Sequence, residues 1–281
     1  MHKITCFKSP LRYPGGKTRA IKALQNIYTK NFSNNTMLIS PFCGGCSFEF
    51  SLISSDPNLK QNILNDEFKP LITFYQQCQT NKQSLIASLE KSIGTITKNK
   101  FYELVKTIQD EKDDFEMAKE YFIINRCSFS GSTLSEGFSQ QAANGRFTQS
   151  SIDNINKLKL DNIVFTNNDY KELSEIITMN NHHKIFMFCD PPYLLEESKN
   201  KLYGVNGDLH ESFDHKEFHD WITFFDDSAD WMITYNDCSE IRKLYSNYEI
   251  VSTSWSYGMS KGKNGKEIVI LHKRYVDEIE Y

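Results

Sequence analysis

A largely parallel α/β sheet wound with helices is the fold class this sequence predicts. Short apolar or β-branched runs recur along the chain, each ending near Pro, Asn, Asp or Gly, and helical patterns fill the intervals between them. Strands alternating with helices build a sheet of this kind. A length of 281 residues allows one large domain with a smaller insert, and a core that needs no covalent staples.

The elements follow in order. Thr36–Pro41 (TMLISP), Gln61–Leu64, Asn162–Thr166 (NIVFT) and Lys184–Cys189 (KIFMFC) read as strands of a buried sheet, and Trp231–Tyr235 (WMITY) and Glu267–Leu271 (EIVIL) as two more. Phe68–Cys78 and His215–Phe225 carry helical patterns between them. Asn81–Leu160 breaks the alternation. It is helical at Phe101–Gln109 and Phe115–Ile124, then Ser/Gly/Gln/Asn-rich from Ser128 to Ser151, the composition of a long polar loop. The chain therefore divides into a sheet domain, residues 1–80 and 160–281, and an insert, residues 81–159.

Composition narrows the setting. Seven cysteines without a regular framework, no charged-then-apolar leader and no apolar run of ~18 residues fit a soluble, non-secreted protein of a reducing compartment with free thiols. Net charge is −4, yet the first acid is Glu49, and Lys3, Lys8, Arg12, Lys17, Arg19, Lys22 and Lys30 all precede it. Such a basic stretch serves either a polyanion or anionic cofactor, or simply a solvated face; on charge alone both readings stand.

The sharpest chemical signal is Asp190-Pro191-Pro192-Tyr193, directly after the KIFMF strand. Ligands in open α/β sheets bind at the carboxyl ends of the strands. The Asp190 carboxylate and the Pro191 carbonyl can each accept one N–H of a flat amino group. Pro191 and Pro192 restrict the backbone and keep that carbonyl aimed, and Tyr193 can stack on a base. The bland alternative is a Pro-rich turn with a capping Asp. A second signal is Pro41-Phe42-Cys43-Gly44-Gly45-Cys46-Ser47, a Gly turn closing the first strand, followed by Asn65-Asp66 at the end of the next strand. An acid at that place can bind both hydroxyls of a ribose. Leu11-Arg12-Tyr13-Pro14-Gly15-Gly16-Lys17-Thr18 is no phosphate-binding P-loop, because Leu11 stands where that loop needs Gly and no apolar strand precedes it. It reads instead as a Gly-Gly turn presenting Lys17 to an anion. Cys43-x-x-Cys46 lacks a second pair for zinc, and His182-His183 read as a solvated loop, so no metal is expected.

Tyr13–Lys17, PFCGGCS, Leu64–Asp66 and DPPY, in this order and spacing, resemble the Dam-like (D12 class) N6-adenine DNA methyltransferases, over roughly Ser9 to Leu271. Asn168-Asp169-Tyr170, Phe213-Asp214-His215, Tyr235-Asn236-Asp237 and the tail Ser260–Leu271, similar to a closing hairpin, extend the resemblance. It implies a Rossmann-like S-adenosylmethionine-dependent methyltransferase sheet with helices on both faces, and a smaller, mainly helical target-recognition insert. It implies methyl transfer from S-adenosyl-L-methionine, leaving S-adenosyl-L-homocysteine, to N6 of an adenine flipped out of double-stranded DNA. By resemblance Tyr13, Lys17, Phe42, Gly44, Gly45, Asp66, Asp169 and Asp190 line the cofactor pocket, while Asp190, Pro191, Pro192 and Tyr193 carry catalysis. Asn125-Arg126 and Phe129-Ser130-Gly131 resemble the recognition segment, with Arg126 and Arg146 reaching phosphates or guanine edges and Phe129 wedging or stacking. The family commonly has Gly at Cys46, and a positive φ there would cost Cys46 about 1 kcal/mol.

Two rivals share parts of this pattern. Cytosine N4 methyltransferases use the same amine chemistry but more often begin the motif with Ser, and a catalytically silent DNA-binding module would not need the intact pocket. Carbon methylation of cytosine needs a Cys nucleophile, usually in a Pro-Cys pair, and the chain has no such pair. The resemblance implies no membrane and a monomer or weak homodimer, located in the cytoplasm or wherever the host or viral DNA resides. It leaves open a cognate restriction endonuclease, a housekeeping role or a viral one.

Overall fold

The computed structural model describes residues 7–129, 137–194, 213–253 and 267–272. Seven strands form one sheet: β1 (Met37–Ser40), β2 (Gln61–Asn65), β3 (Ile163–Thr166), β4 (Ile185–Cys189), β5 (Ala229–Asn236), β6 (Glu249–Thr253) and β7 (Glu267–Leu271). Their order is β3-β2-β1-β4-β5-β7-β6. The first five run parallel, and β7 enters antiparallel between β5 and β6. The chain winds outward from β1 in one direction and from β4 in the other. The switch point where ligands bind in such sheets therefore lies at the carboxyl ends of β1 and β4.

The side-chain period of two sorts the central strands between two cores. Leu38, Phe186, Phe188, Met232, Val269 and Leu271 pack on one face. Met37, Ile39, Ile185, Met187, Trp231, Ile233, Ile268 and Ile270 pack on the other. The first face is covered by α1 (Ile21–Asn31), α2 (Ser47–Ser55) and α3 (Lys69–Thr80), and the second by α9 (Leu173–Met179), α10 (His215–Thr223) and α11 (Ser239–Leu244). Coverage on both sides is why IFMFC of β4 is buried throughout.

Between α3 and β3 lie α4 (Lys82–Ser92), α5 (Lys98–Thr107), α6 (Asp114–Cys127), α7 (Gln140–Arg146) and α8 (Gln149–Asn156). α6 packs along α3, and Leu85, Phe101, Phe122 and Ile152 join the same core as the first sheet face. The stretch Ser128–Ser151, expected as one long polar loop, is mostly helical where it is described; residues 130–136 lie outside the described residues. Polarity misleads here because the polar residues are caps. Ser139 Oγ accepts from the Ala142 N–H at 3.1 Å, and Ser151 Oγ accepts from the Thr148 N–H at 3.2 Å. Ala142, Ala143, Ile152 and Ile155 supply the buried sides.

The six expected strands are present with ends shifted by up to two residues. β6 was not expected. It is an edge strand without a fully buried residue, so it carries no apolar run. Of the tail expected as a closing hairpin, β7 pairs antiparallel with β6, and the connecting residues 254–266 lie outside the described residues. No helix among the described residues is long and apolar enough to cross a membrane.

The cap of α6 is testable. Asp113 Oδ1 accepts from the Phe115 and Glu116 N–H groups, both at 2.9 Å. Asp113→Ala is expected to lower unfolding free energy by about 1 kcal/mol, read as a lower urea midpoint at unchanged slope.

Candidate active site

Four strand ends meet at the switch point. The residue after β4 is Asp190, whose parity aims it to the same face as Phe186 and Phe188. Ser40 follows Leu38 on that face, Thr234 follows Met232, and Glu267 precedes Val269. Alternation alone thus gathers two hydroxyls and two acids above one core.

The turn Tyr13–Gly16 delivers a cation to them. Pro14-Gly15 has the sequence of a type II turn; Gly15 has φ +68° and the Gly16 N–H donates to the Tyr13 carbonyl at 3.1 Å. Lys17, only 5% exposed, donates to Asp190 Oδ2 at 2.7 Å and to the Gly15 carbonyl at 3.1 Å, and lies 3.9 Å from Glu267 Oε1. Thr234 Oγ1 donates to Asp190 Oδ1 at 2.6 Å, so both carboxylate oxygens are fixed. Tyr193 donates its hydroxyl to Glu267 Oε1 at 2.7 Å, and its ring centroid is 5.1 Å from Lys17 Nζ. Asn236, directly opposite Glu267 across β5 and β7, donates to the Leu194 carbonyl at 2.8 Å. The DPPY segment is therefore gripped at its acid, its phenol and the carbonyl that follows.

The Gly turn lies beside this cluster. Asn65 Nδ2 donates to the Pro41 carbonyl at 3.0 Å, and the Cys43 N–H donates to the Asn65 carbonyl at 2.8 Å, which ties the turn to β2. Asp66 consequently reaches it, accepting from the Gly44 N–H at 2.9 Å and the Phe68 N–H at 3.0 Å. Burial raises the Asp66 carboxyl to about 6 against the pull of those two hydrogen bonds. The Tyr13 ring lies across the turn so closely that a Cβ at Gly44 would come within 2.8 Å of it, and one at Gly45 within 2.7 Å of Tyr13 Cβ. Gly44 has φ +46° and Cys46 φ +54°. The left-handed conformation expected to strain Cys46 is thus present, at about 1 kcal/mol. Phe42 packs on Tyr170, Phe213 and Phe218 at 5.4–5.6 Å, an aromatic wall at the end of β1. Asp169, half exposed, caps the turn Tyr170–Glu172 by accepting from the Lys171 N–H at 2.9 Å.

A family model described as D12 class N6 adenine-specific DNA methyltransferase matches residues 13–259. The chain belongs to this family. It is an adenine-specific DNA methyltransferase, and its sheet is the Rossmann-like one expected of such an enzyme. Among solved structures it is similar to the rRNA methyltransferase aviRa from Streptomyces viridochromogenes, with 11% identity over 96% of this chain and 90% of that one and a TM-score of 0.38, a likeness too distant to bear on function.

Within this methyltransferase the structure brings together Tyr13, Lys17, Asp190 and Tyr193, and, around the neighbouring turn, Phe42, Gly44, Gly45 and Asp66. The residues expected to read DNA stand apart, at the junction of the insert with the chain's basic start. Arg126 is largely buried there. Its Nε donates to the Arg146 carbonyl at 2.9 Å and its NH1 to the Pro10 carbonyl at 3.2 Å, while Asn125 clasps both the N–H and the carbonyl of Arg12, at 3.0 and 2.6 Å. Burial first, then Arg12 and Arg146, pushes the Arg126 guanidinium down to about 10. Phe129 is 62% exposed, at the neck of the stretch 130–136, where its N–H donates to the Gly137 carbonyl. Thr234, Glu267 and the buried pair Ser40–Glu49 escaped sequence reading as site residues, and Asn236 was marked only as part of the family resemblance. Strand parity was the signal that could have found Ser40, Thr234 and Glu267. Among the described residues no cluster of His, Cys, Asp and Glu is arranged to hold a metal ion.

The Tyr13–Gly44 contact predicts a non-additive pair. Gly44→Ala is expected to cost about 1–3 kcal/mol in unfolding experiments, and less once Tyr13→Ala has removed the opposing ring. Equal losses in both backgrounds would show that the ring does not constrain the turn.

Proposed function

We propose that the Lys17–Asp190 cluster transfers a methyl group from S-adenosyl-L-methionine to N6 of an adenine turned out of double-stranded DNA. One observation carries this reading: a carboxylate, held at both oxygens by Lys17 and Thr234, stands at the switch point beside a glycine turn and an acid at the end of β2. The donor set suits that cofactor. Asp66 meets the turn where a ribose would lie, and the acids Glu49, Asp190 and Glu267 neighbour one ammonium, a surplus of carboxyl groups fitted to a cationic ligand. Bound there, the cofactor supplies an electrophilic methyl on a sulfonium.

The chain's own residues do the rest. Asp190 and the Pro191 carbonyl accept the two N–H bonds of the adenine amine, which draws the nitrogen lone pair out of ring conjugation. Pro192 keeps that carbonyl aimed, and Tyr193, its hydroxyl anchored on Glu267, offers its ring face to the base. With the donor bound, this aimed lone pair would take the methyl, S-adenosyl-L-homocysteine would be the leaving group, and the surplus N6 proton would pass to solvent. Positioning supplies much of the acceleration. Tyr13, Phe42, Gly44, Gly45 and Asp169 complete the cofactor side.

For DNA, residues 81–159 act as the recognition insert. Arg126 is the bracket of this face, holding the carbonyls of Pro10 and Arg146. Arg12 and Arg146, close enough to Arg126 to depress its proton affinity, supply positive charge for phosphates. Phe129 is the exposed ring that stacks on or wedges between bases.

Asp190→Ala is expected to abolish methyl transfer to DNA, measured with labelled cofactor, while most DNA affinity persists because phosphate contacts dominate it. Retained turnover would refute the role of Asp190; N4-methylcytosine as product would refute the choice of base. Cofactor affinity is expected to weaken as pH falls through about 6, because ribose binding needs Asp66 ionised and its carboxyl is raised to that value. In Asp66→Ala that dependence should vanish along with most of the affinity, as read by equilibrium titration with S-adenosyl-L-homocysteine, which shares the ribose and carries no sulfonium.

A further inference from the structure

Glu49, one of the carboxyl groups near Lys17, touches neither the amine nor the ribose in the chemistry above. It lies in the first turn of α2, only 3% exposed, and its Oε1 accepts from Ser40 Oγ at 2.9 Å. A carboxylate serving only the helix dipole is at home on the solvent side of that turn. This one instead faces inward, beneath the glycine turn and toward the strand end that neighbours β4.

The groups around it come from every adjoining element. Ser40 comes from β1, Lys17 from the turn after Gly16, Asp190 from the end of β4, and the thiols of Cys43 and Cys46 from the glycine turn itself. Glu267 of β7 stands behind Lys17. Burial raises the Glu49 carboxyl to about 8; Asp190 adds to the rise, and the Ser40 hydrogen bond and Lys17 oppose it. Near neutrality the unliganded site therefore holds a proton there. A positive charge brought close to a protonated acid favours its ionised form, and by linkage the proton leaves as the cation binds.

We propose that Glu49 supplies the negative charge that lets this site tell the cationic methyl donor from its neutral thioether product, giving up a proton when the donor binds. The inference rests on the reading of S-adenosyl-L-methionine as cofactor. Donor and product share their adenosine and amino-acid ends, and differ in the sulfonium and its methyl. The sulfonium lowers the donor's α-amino titration relative to the product's, and this difference is common to the wild type and Glu49→Gln, so it is removed by subtracting the variant's profile. Glu49 acts through the field at the sulfur and is a positioning residue.

The test is calorimetric binding of S-adenosyl-L-methionine and of S-adenosyl-L-homocysteine to the whole protein without DNA, in buffers of different protonation heat. The wild type is expected to release more protons with the donor than with the product at pH 6.5–7.5. Its preference for the donor should grow by up to about tenfold per pH unit and level off above about pH 8. Glu49→Gln should remove the excess proton release with the donor and the steep rise in preference below about pH 8, leaving only the shallow contribution of the ligands' own amines. Ser40→Ala keeps the acid and removes a bond that favours its charged form, so its levelling point should move to higher pH; this variant carries the test if Glu49→Gln does not fold. Equal proton release with the two ligands, an undiminished difference in Glu49→Gln, or an unmoved profile in Ser40→Ala overturns the proposal and leaves the cofactor reading intact. Failure of both ligands to bind overturns the two together.

Discussion

An ammonium held among acids in a nearly dry place is the constraint on which the meeting of these strand ends depends. Lys17 bonds to Asp190 at 2.7 Å with almost none of its own surface in water. Removing water from such a pair is expensive, and the attraction offsets the cost only where every remaining donor and acceptor is met. Here they are met by the Gly15 carbonyl, by Thr234 on the second oxygen, and by Glu267 behind, itself held by Tyr193. Loss of one partner would strand a charge rather than merely subtract a contact. The N-terminal turn, β4, β5 and β7 are thus committed to one arrangement.

That commitment also explains why the site has the shape it does. The pleat puts Ser40, Asp190, Thr234 and Glu267 on one side of the sheet, while the aromatic wall of Phe42, Tyr170, Phe213 and Phe218 belongs to the other core. The polar cluster and the aromatic wall are separated by the thickness of β1 and β4, and the glycine turn spans the gap. Tyr13 can lie on that turn only because Gly44 and Gly45 have no side chains.

Much of this was legible before any coordinates. Strands from β1 to β5 show in the sequence because each is short, apolar and bounded by turn residues, and DPPY shows because its position after β4 is itself chemical information. β6 was hidden by its place at the sheet edge, where nothing requires apolar residues. α7 was hidden because Ser139 and its neighbours look like loop residues until their hydroxyls are seen capping a helix. Arg126 illustrates a deeper limit. A basic residue near a polar segment reads as a DNA contact, and only the fold reveals that its guanidinium is turned onto the Pro10 and Arg146 carbonyls. Glu267 and Thr234 were missed because their partners lie far away in sequence, and composition says nothing about which strand will be inserted beside β5.

That insertion bears on how the protein is born. β7 is the last strand of the sheet to leave the ribosome, yet it lies between β5 and β6, which are made before it. A nascent chain lacking it would leave β5 with an unpaired edge, and would leave Tyr193 and Lys17 without Glu267. Closing contacts over such sequence distances is slow. The strand-end cluster thus comes together late in synthesis and all at once, so a truncated product that still folds its glycine turn would lack the acid that holds Tyr193 and backs Lys17.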